Sequence, residues 1–347
     1  QNNVQGACDM GALPNVFPAY QAVTSEKTRE TFEKAWNASL PGKPGLTILE
    51  IMEEAHKGNI KGLYVMGENP MLSDPDLTHV EASLKNLDIL VVQDIFLTET
   101  AALADVVLPS ACFAEKEGTF TNTERRVQRI RKAVDPPGEA KPDWQIIADL
   151  STRMGYKMDY PTSEDIMNEI NQVTPSYAGI TYERIEKEGI QWPCPSLGHP
   201  GTKYLHKDKF SRGLGLFHAV EYIEPAELPD SDYPLILNTG RVLYHYHTGT
   251  MSRRTKGPSE RCPESLIEIN PEDAQKYGIE DGKPACIITR RGNMTARAKV
   301  TDRSPVGTIF ANFHFSEAAV NLLTNPAMDP IGKIPEYKVC AVKIEAA

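Results

Sequence analysis

Nowhere in the 347 residues do about 18 apolar residues run together, so no segment reads as a membrane-spanning helix. Positive charge is also short. There are 37 Lys and Arg against 47 Asp and Glu, a formal charge of −10. A general nucleic-acid binder needs the opposite balance, which sets that class aside. An anionic ligand would therefore need local clusters of cations and backbone N–H groups. Cysteine is sparse and scattered: Cys8, Cys112, Cys194, Cys262, Cys286 and Cys340 include no C-x-x-C pair. That spacing argues against a thiolate metal knot or an iron–sulfur cluster held by this chain alone. It predicts buried free thiols and a reducing, cytoplasmic setting. Internal repeats and low-complexity tracts are absent. So is an initiator Met, and Gln1–Asn2–Asn3 does not read as a signal peptide. The expectation is a processed or truncated piece, with any targeting signal upstream.

What is present is ordinary soluble material, 40% hydrophobic, with a length that suggests two domains. Residues 1–200 read as α/β. Ile60–Met66 is a short apolar run broken by Gly67–Glu68–Asn69–Pro70, Thr78–Asn86 suits a helix, and Asp88–Val92 is a second strand ending at Gln93–Asp94. Thr98 caps a short helix, and Asp105–Leu108 is a third strand stopped by Pro109. Asp143 precedes an amphipathic helix, Trp144–Met154, closed by Gly155. Strands alternating with helices imply a parallel sheet, with ligands beyond the carboxyl ends of its strands. Asn69 and Asp94 lie at such ends. Gln191–Thr202, rich in Pro and Gly, reads as a linker, which places the boundary near residue 200. Residues 201–347 read as a compact β-barrel. Its strands are Leu235–Asn238, Ser265–Ile269, Ala285–Arg290 and Thr295–Val300, the last two forming a hairpin around Arg291–Gly292–Asn293. Asn270–Pro271 starts a short helix that ends at Gly278.

Two segments carry chemistry. The opening QNNVQGACDMGALP mixes amides and small residues with neither helical nor strand period, which predicts irregular backbone able to approach a ligand closely. The second, TGRVLYHYHTGTMSRR from Thr239 to Arg254, places three Arg, two His and several hydroxyl groups behind a strand. Arg grips a phosphate bidentately, and hydroxyls and glycine amides can donate to it. On a strand His245 and His247 would share one face, but no third metal ligand stands near them. The bland alternatives are a surface loop and a solvated basic loop.

These segments carry a family resemblance. QNNVQGACDMGALPNVFPAYQ resembles the stretch that formate dehydrogenases of the molybdenum/tungsten bis-pterin family carry just after an active-site arginine. TGRVLYHYHTGTMSRR resembles a pterin-binding loop shared with periplasmic-type and assimilatory nitrate reductases. VVQDIFLTETAALADVVLPSACFAEKEGTFTNTERRVQ and PEYKVCAVKIE fit the same family, in order along the whole chain. The resemblance implies a parallel-sheet, dinucleotide-binding-like α/β domain followed by a six-stranded, double-psi-type β-barrel. It further implies a bis-molybdopterin guanine dinucleotide with Mo or W, and a 4Fe–4S cluster in an upstream part. Formate is the implied substrate, and iron–sulfur electron-transfer subunits are the implied partners, with neither nucleic acid nor direct membrane insertion. Nitrate reductase and a pterin-binding module without its own activity are the alternatives. Residue by residue, the resemblance assigns cofactor contacts to Gln1, Asn69, Ser73, Gln93, Asp94, Lys116 and Asp143. In the barrel it assigns them to Thr239, Gly240, Arg241, His245, His247, Thr248, Phe313, Asn321 and Lys338. His314, beside Phe313, is a weaker candidate. No catalytic or metal-binding residue is expected within the chain. The family's ligating cysteine or selenocysteine, its histidine and its arginine would lie upstream.

Overall fold

Apolar residues following Lys61 build the strand Gly62–Met66, and Ile89–Asp94 lies parallel to it with Gly62 opposite Ile89 and Met66 opposite Gln93. Val106–Pro109 completes this three-stranded sheet. Parallel neighbours need a crossover, which the helix Leu77–Lys85 supplies. Asp76 starts that helix by accepting from the His79 N–H. Its Val80 and Leu84 pack with Val65, Leu90 and Val92 in one buried cluster. The computed structural model from which this description comes covers residues 3–347, so the expectation for Gln1 lies outside the described residues.

Six strands close into a barrel in the order Leu266–Ile269, Asn293–Val300, Pro284–Ile288, Cys340–Ala346, Leu235–Gly240 and Thr308–Asn312. The 266–269 strand runs parallel to its 293–300 neighbour, and the 235–240 strand runs parallel to 308–312. The interior alternates as a small barrel requires: Leu235 and Leu237, Ile267 and Ile269, Ile287, Ile309 and Val342 all point inward. Each such side chain contributes about 1.5–3 kcal/mol through burial. Asn270 caps the helix Pro271–Tyr277 by accepting from the Glu272 N–H, and Gly278 closes it at φ 66°. The α/β sheet and closed six-stranded barrel are the architecture expected from the sequence.

Contacts divide the chain into two units, each discontinuous in sequence. One comprises Gln1–Thr47 and Leu108–Val220, the other Ile48–Val107 and Glu221–Ala347. This differs from the single cut expected at residue 200, because the segment Ile48–Val107 groups with the barrel. Hydrogen bonds explain the grouping. Asn321 Nδ2 donates to the carbonyls of Leu72 at 3.0 Å and Ser73 at 3.1 Å, and the Tyr337 hydroxyl donates to Ser73 O at 3.0 Å. The Pro- and Gly-rich stretch 191–202 is held rather than loose: Cys194 is fully buried, and Arg184 and Arg125 donate to the carbonyls of His199 and Thr202.

In the first unit, the expectation of irregular backbone at the opening is corrected, since Val4–Asp9 is a short helix. Its anchor is Asp9, which is fully buried and accepts from Gln5 Nε2 at 2.8 Å, from Trp192 Nε1 at 2.6 Å and from the Tyr177 hydroxyl. The unit also holds a three-stranded antiparallel sheet, Gly118–Thr121, Arg126–Ile130 and Ile190–Gln191. Its helices include Asp143–Arg153 and Ser163–Val173, the second opened by a capping box between Thr162 and Asp165. The six cysteines are free as expected, but only Cys194 and Cys340 are buried.

Candidate cofactor site

In the second unit, the barrel strand Leu235–Gly240 delivers the basic segment to one end of the barrel. Gly240 pairs with Asn312 at the end of the neighbouring strand, and a Cβ on Gly240 would run into the Phe310 ring. The chain then leaves the sheet as a loop, so His245 and His247 do not share a strand face as the spacing suggested. His247 sits at φ 47° and Gly249 at φ 76°, two left-handed residues that curl the segment back. A side chain on Gly249 would meet His314 O and Arg253. Buried His245 has a protein partner at each ring nitrogen. Its Nε2 is 2.7 Å from Cys262 O and its Nδ1 3.2 Å from Ser252 Oγ. Thr248, also buried, bonds Thr250 through their hydroxyls at 3.1 Å.

His314 locks this loop. Its Nε2 accepts from the Val242 N–H at 2.8 Å and its Nδ1 donates to His247 O. Full burial pushes its imidazole down to about 4, so it stays neutral with one acceptor and one donor nitrogen. The lock leaves the cations outward. Arg241 is exposed, with its guanidinium 5.7 Å from the Phe313 ring centroid, and Lys338 Nζ stands 5.9 Å from the same ring. Lys338 Nζ also donates to Thr239 O at 2.5 Å, and Thr239 Oγ1 donates to Tyr337 O at 2.7 Å. Desolvation and the Arg241 charge push both Lys338 and His247 below their usual ranges. Neither Arg241 nor Lys338 has a carboxylate partner among the described residues, so the cluster is a net positive patch around an aromatic ring.

The strand-end residues of the same unit are more committed. Asn69 Oδ1 accepts from Thr100 N at 3.1 Å and Thr100 Oγ1 at 2.7 Å, while its Nδ2 donates to Glu99 Oε2 at 2.8 Å. Gln93 is fully buried with the Tyr64 hydroxyl on its Oε1, and Asp94 Oδ1 accepts from the Phe96 N–H at 3.1 Å. Ser73 Oγ donates to Asp74 Oδ1 at 2.9 Å. Asn321 spends both amide hydrogens on the Leu72 and Ser73 carbonyls, so it joins segments of one unit. In the first unit, Lys116 and Asp143 form an ion pair with each other, their side chains 24% and 30% exposed. Asp143 is the first residue of its helix, Pro142 holds the cap position, and no side chain caps there. The expectation that Asp143 precedes the helix is thereby corrected.

Sequence reasoning missed two polar groups that the structure brings to the cradle. Asn312, 2% exposed, carries a buried Oδ1 without a hydrogen-bond partner, and Tyr337 links Ser73 to Thr239. Asn312 precedes Phe313 at a strand end, which was its only signal. Among the described residues no group of three His, Cys, Asp or Glu is arranged to hold a metal ion.

Residues 1–153 match the family described as molybdopterin oxidoreductase, and residues 235–341 match the molybdopterin dinucleotide binding domain. The chain belongs to the molybdopterin oxidoreductase family. Among its relatives, the F420-dependent formate dehydrogenase subunit alpha of Methanocaldococcus jannaschii is 61% identical over 99% of this chain and 51% of the relative. Formate dehydrogenase H of Escherichia coli is 42% identical over 99% of this chain and 49% of its own length. The assimilatory nitrate reductase catalytic subunit of Bacillus subtilis is 40% identical over 99% and 50%. The chain thus spans about half the length of the curated relatives it matches. Acetylene hydratase from Pelobacter acetylenicus shares the fold at a TM-score of 0.68 and 20% identity, covering 92% of this chain and 50% of that one. A molybdopterin dinucleotide offers anionic phosphates and heterocycles edged with N–H groups. The residues present suit both: cations without carboxylates, and a buried Asn312 oxygen that lacks a donor.

Proposed function

We propose that this chain is the cofactor-binding region of a formate dehydrogenase that oxidises formate to carbon dioxide. The observation that carries the reading is the Arg241–Phe313–Lys338 patch at the mouth of the matched dinucleotide-binding domain. Relatives named as formate dehydrogenase alpha subunits are 61% and 54% identical, against 40% for the nitrate reductase, which supports formate over nitrate as substrate. The cofactor of this reading is bis-molybdopterin guanine dinucleotide with Mo or W, served by a 4Fe–4S cluster and iron–sulfur partner subunits. When bound, it supplies the two-electron chemistry. Arg241 and Lys338 hold phosphate, Phe313 packs against a ring, and Gly240 and Thr248 let backbone and hydroxyl groups approach. Asn69, Ser73, Gln93, Asp94, Lys116, Asp143, Thr239, His245, His247 and Asn321 complete the contact set or hold it in place. None of the helices is long and apolar enough to cross a membrane among the described residues, and a cytoplasmic site of action fits this reading.

The test is turnover by the purified full-length protein with its natural partner subunits. Formate-dependent dye reduction is expected. Oxidation of reduced dye by nitrate without formate turnover would move the assignment to nitrate reductase. Bound pterin with neither activity would leave a binding module.

Asp143 offers a second check. Its ion pair with Lys116 is partly exposed, so Asp143→Asn should cost no more than about 1 kcal/mol of apo stability. A carboxylate that reads guanine accepts two hydrogen bonds where Asn accepts one and presents a donor, a mismatch of about 1–3 kcal/mol. Cofactor retention should therefore fall roughly tenfold to a hundredfold. Equal occupancy in mutant and parent would confine Asp143 to its pairing with Lys116.

A further inference from the structure

Asp74 stands out among the buried carboxylates of the second unit. It is 3% exposed, its Oδ1 accepts from Ser73 Oγ at 2.9 Å, and its Oδ2 is buried with no hydrogen-bond partner. No cation pairs with it among the described residues, and the charge that acts on it, Glu68, is acidic. Burial, reinforced by Glu68, pushes its carboxyl up to about 6. Native folds retain few such orphaned acceptors, and each one calls for a partner or a role.

Its position supplies the role. Asp74 follows the strand Gly62–Met66 on the side where parallel sheets bind ligands. Ser73 O receives the Tyr337 hydroxyl, and Tyr337 O receives Thr239 Oγ1 at the base of the basic loop. The Tyr337 hydroxyl thus sits on the carbonyl of the residue just before Asp74, and burial, with the Asp74 charge after it, raises its phenol. Asp74 is therefore one side chain away from the residue that roots the Arg241 loop. The cations of that loop suit phosphate but cannot answer the N–H groups of a heterocycle. A carboxylate can, because it only accepts.

We propose that Asp74 is a cofactor-reading residue whose Oδ2 accepts from the 2-amino-4-oxo edge that guanine and pterin share. The proposal rests on the cofactor-binding reading above and adds to it the residue that recognises a heterocycle.

The experiment uses full-length protein matured with cofactor, comparing the parent with Asp74→Asn and Asp74→Leu. Retained pterin is read by fluorescence after oxidative release, retained guanine nucleotide by chromatography, and stability by melting of the apo form. Both variants should hold at least tenfold less pterin and guanine nucleotide. Apo Asp74→Leu should melt no lower than the parent, because an orphaned acceptor has been removed. Titrating apoprotein with GMP then locates the edge. Binding weakened tenfold by Asp74→Asn assigns Asp74 to guanine, and unchanged GMP binding with lost pterin assigns it to the pterin. Parent-level pterin and guanine in both variants would overturn the proposal while leaving the cofactor-binding reading intact. A parent that holds no pterin would overturn both.

Discussion

Arg241→Ala should lower cofactor retention roughly tenfold to a hundredfold while leaving apo stability within about 0.5 kcal/mol of the parent. Arg241 is exposed and has no ion pair among the described residues, so its removal strands no buried partner. Its charge works against the apo protein, because it pushes Lys338 and His247 below their usual ranges once desolvation has begun the shift. A cluster that repels itself gains stability only when an anion joins it. A bidentate, charge-assisted contact to phosphate contributes about 1.5–3 kcal/mol, which sets the expected factor. Lys cannot reproduce the planar fork, so Arg241→Lys should fall between parent and Ala. Pterin and metal content of purified full-length protein is the measurement. Unchanged content in Arg241→Ala would remove the loop from the binding site.

The elements that were legible are those whose causes are local. Inward alternation at Leu235 and Leu237 announces a strand, and Asn270–Pro271 with Gly278 seven residues on fixes both ends of a helix. The opening was not legible in this way. Val4–Asp9 contains a glycine and no apolar stripe, and its helix is held by Tyr177 and Trp192, 168 and 183 residues away. The basic segment was legible as chemistry but not as shape. His245 and His247 follow a strand and so read as its continuation, whereas the turn depends on two left-handed residues and on His314 reaching back from just beyond another strand. Lys116 and Asp143 were each legible as charged residues, but their mutual pairing is a tertiary fact. Asp74 is the plainest case. The sequence shows Ser-Asp-Pro after a strand, an ordinary turn, and only packing reveals that one carboxylate oxygen has no donor.

Asp9→Ala should destabilise the first unit by about 2–5 kcal/mol, the largest stability change expected of any single substitution considered. Asp9 is fully buried and serves three donors: Gln5 Nε2, Trp192 Nε1 and the Tyr177 hydroxyl. Tyr177 is 2% exposed, so its hydroxyl cannot turn to water when the carboxylate goes. Each stranded donor costs about 1–3 kcal/mol, and relief of the buried charge returns part of that. The nearby Tyr20 phenol is pushed up to about 12 by burial first and by Asp9 after it, so the part of the shift due to Asp9 should relax in the variant. The consequence reaches past stability, because Asp9 ends the helix that carries Gln5 and Cys8. Those residues, with Tyr20, Thr121, Asn122 and Gln128, line a cavity of about 440 Å³. Asp9→Asn keeps one acceptor oxygen and should recover about half of the loss, because its amide must then face donors. Denaturant unfolding followed by tryptophan emission reads the effect directly, since Trp192 loses a bonded carboxylate. A change below about 1 kcal/mol would mean that the three donors find other acceptors, and that the opening helix is fixed by its backbone rather than by Asp9.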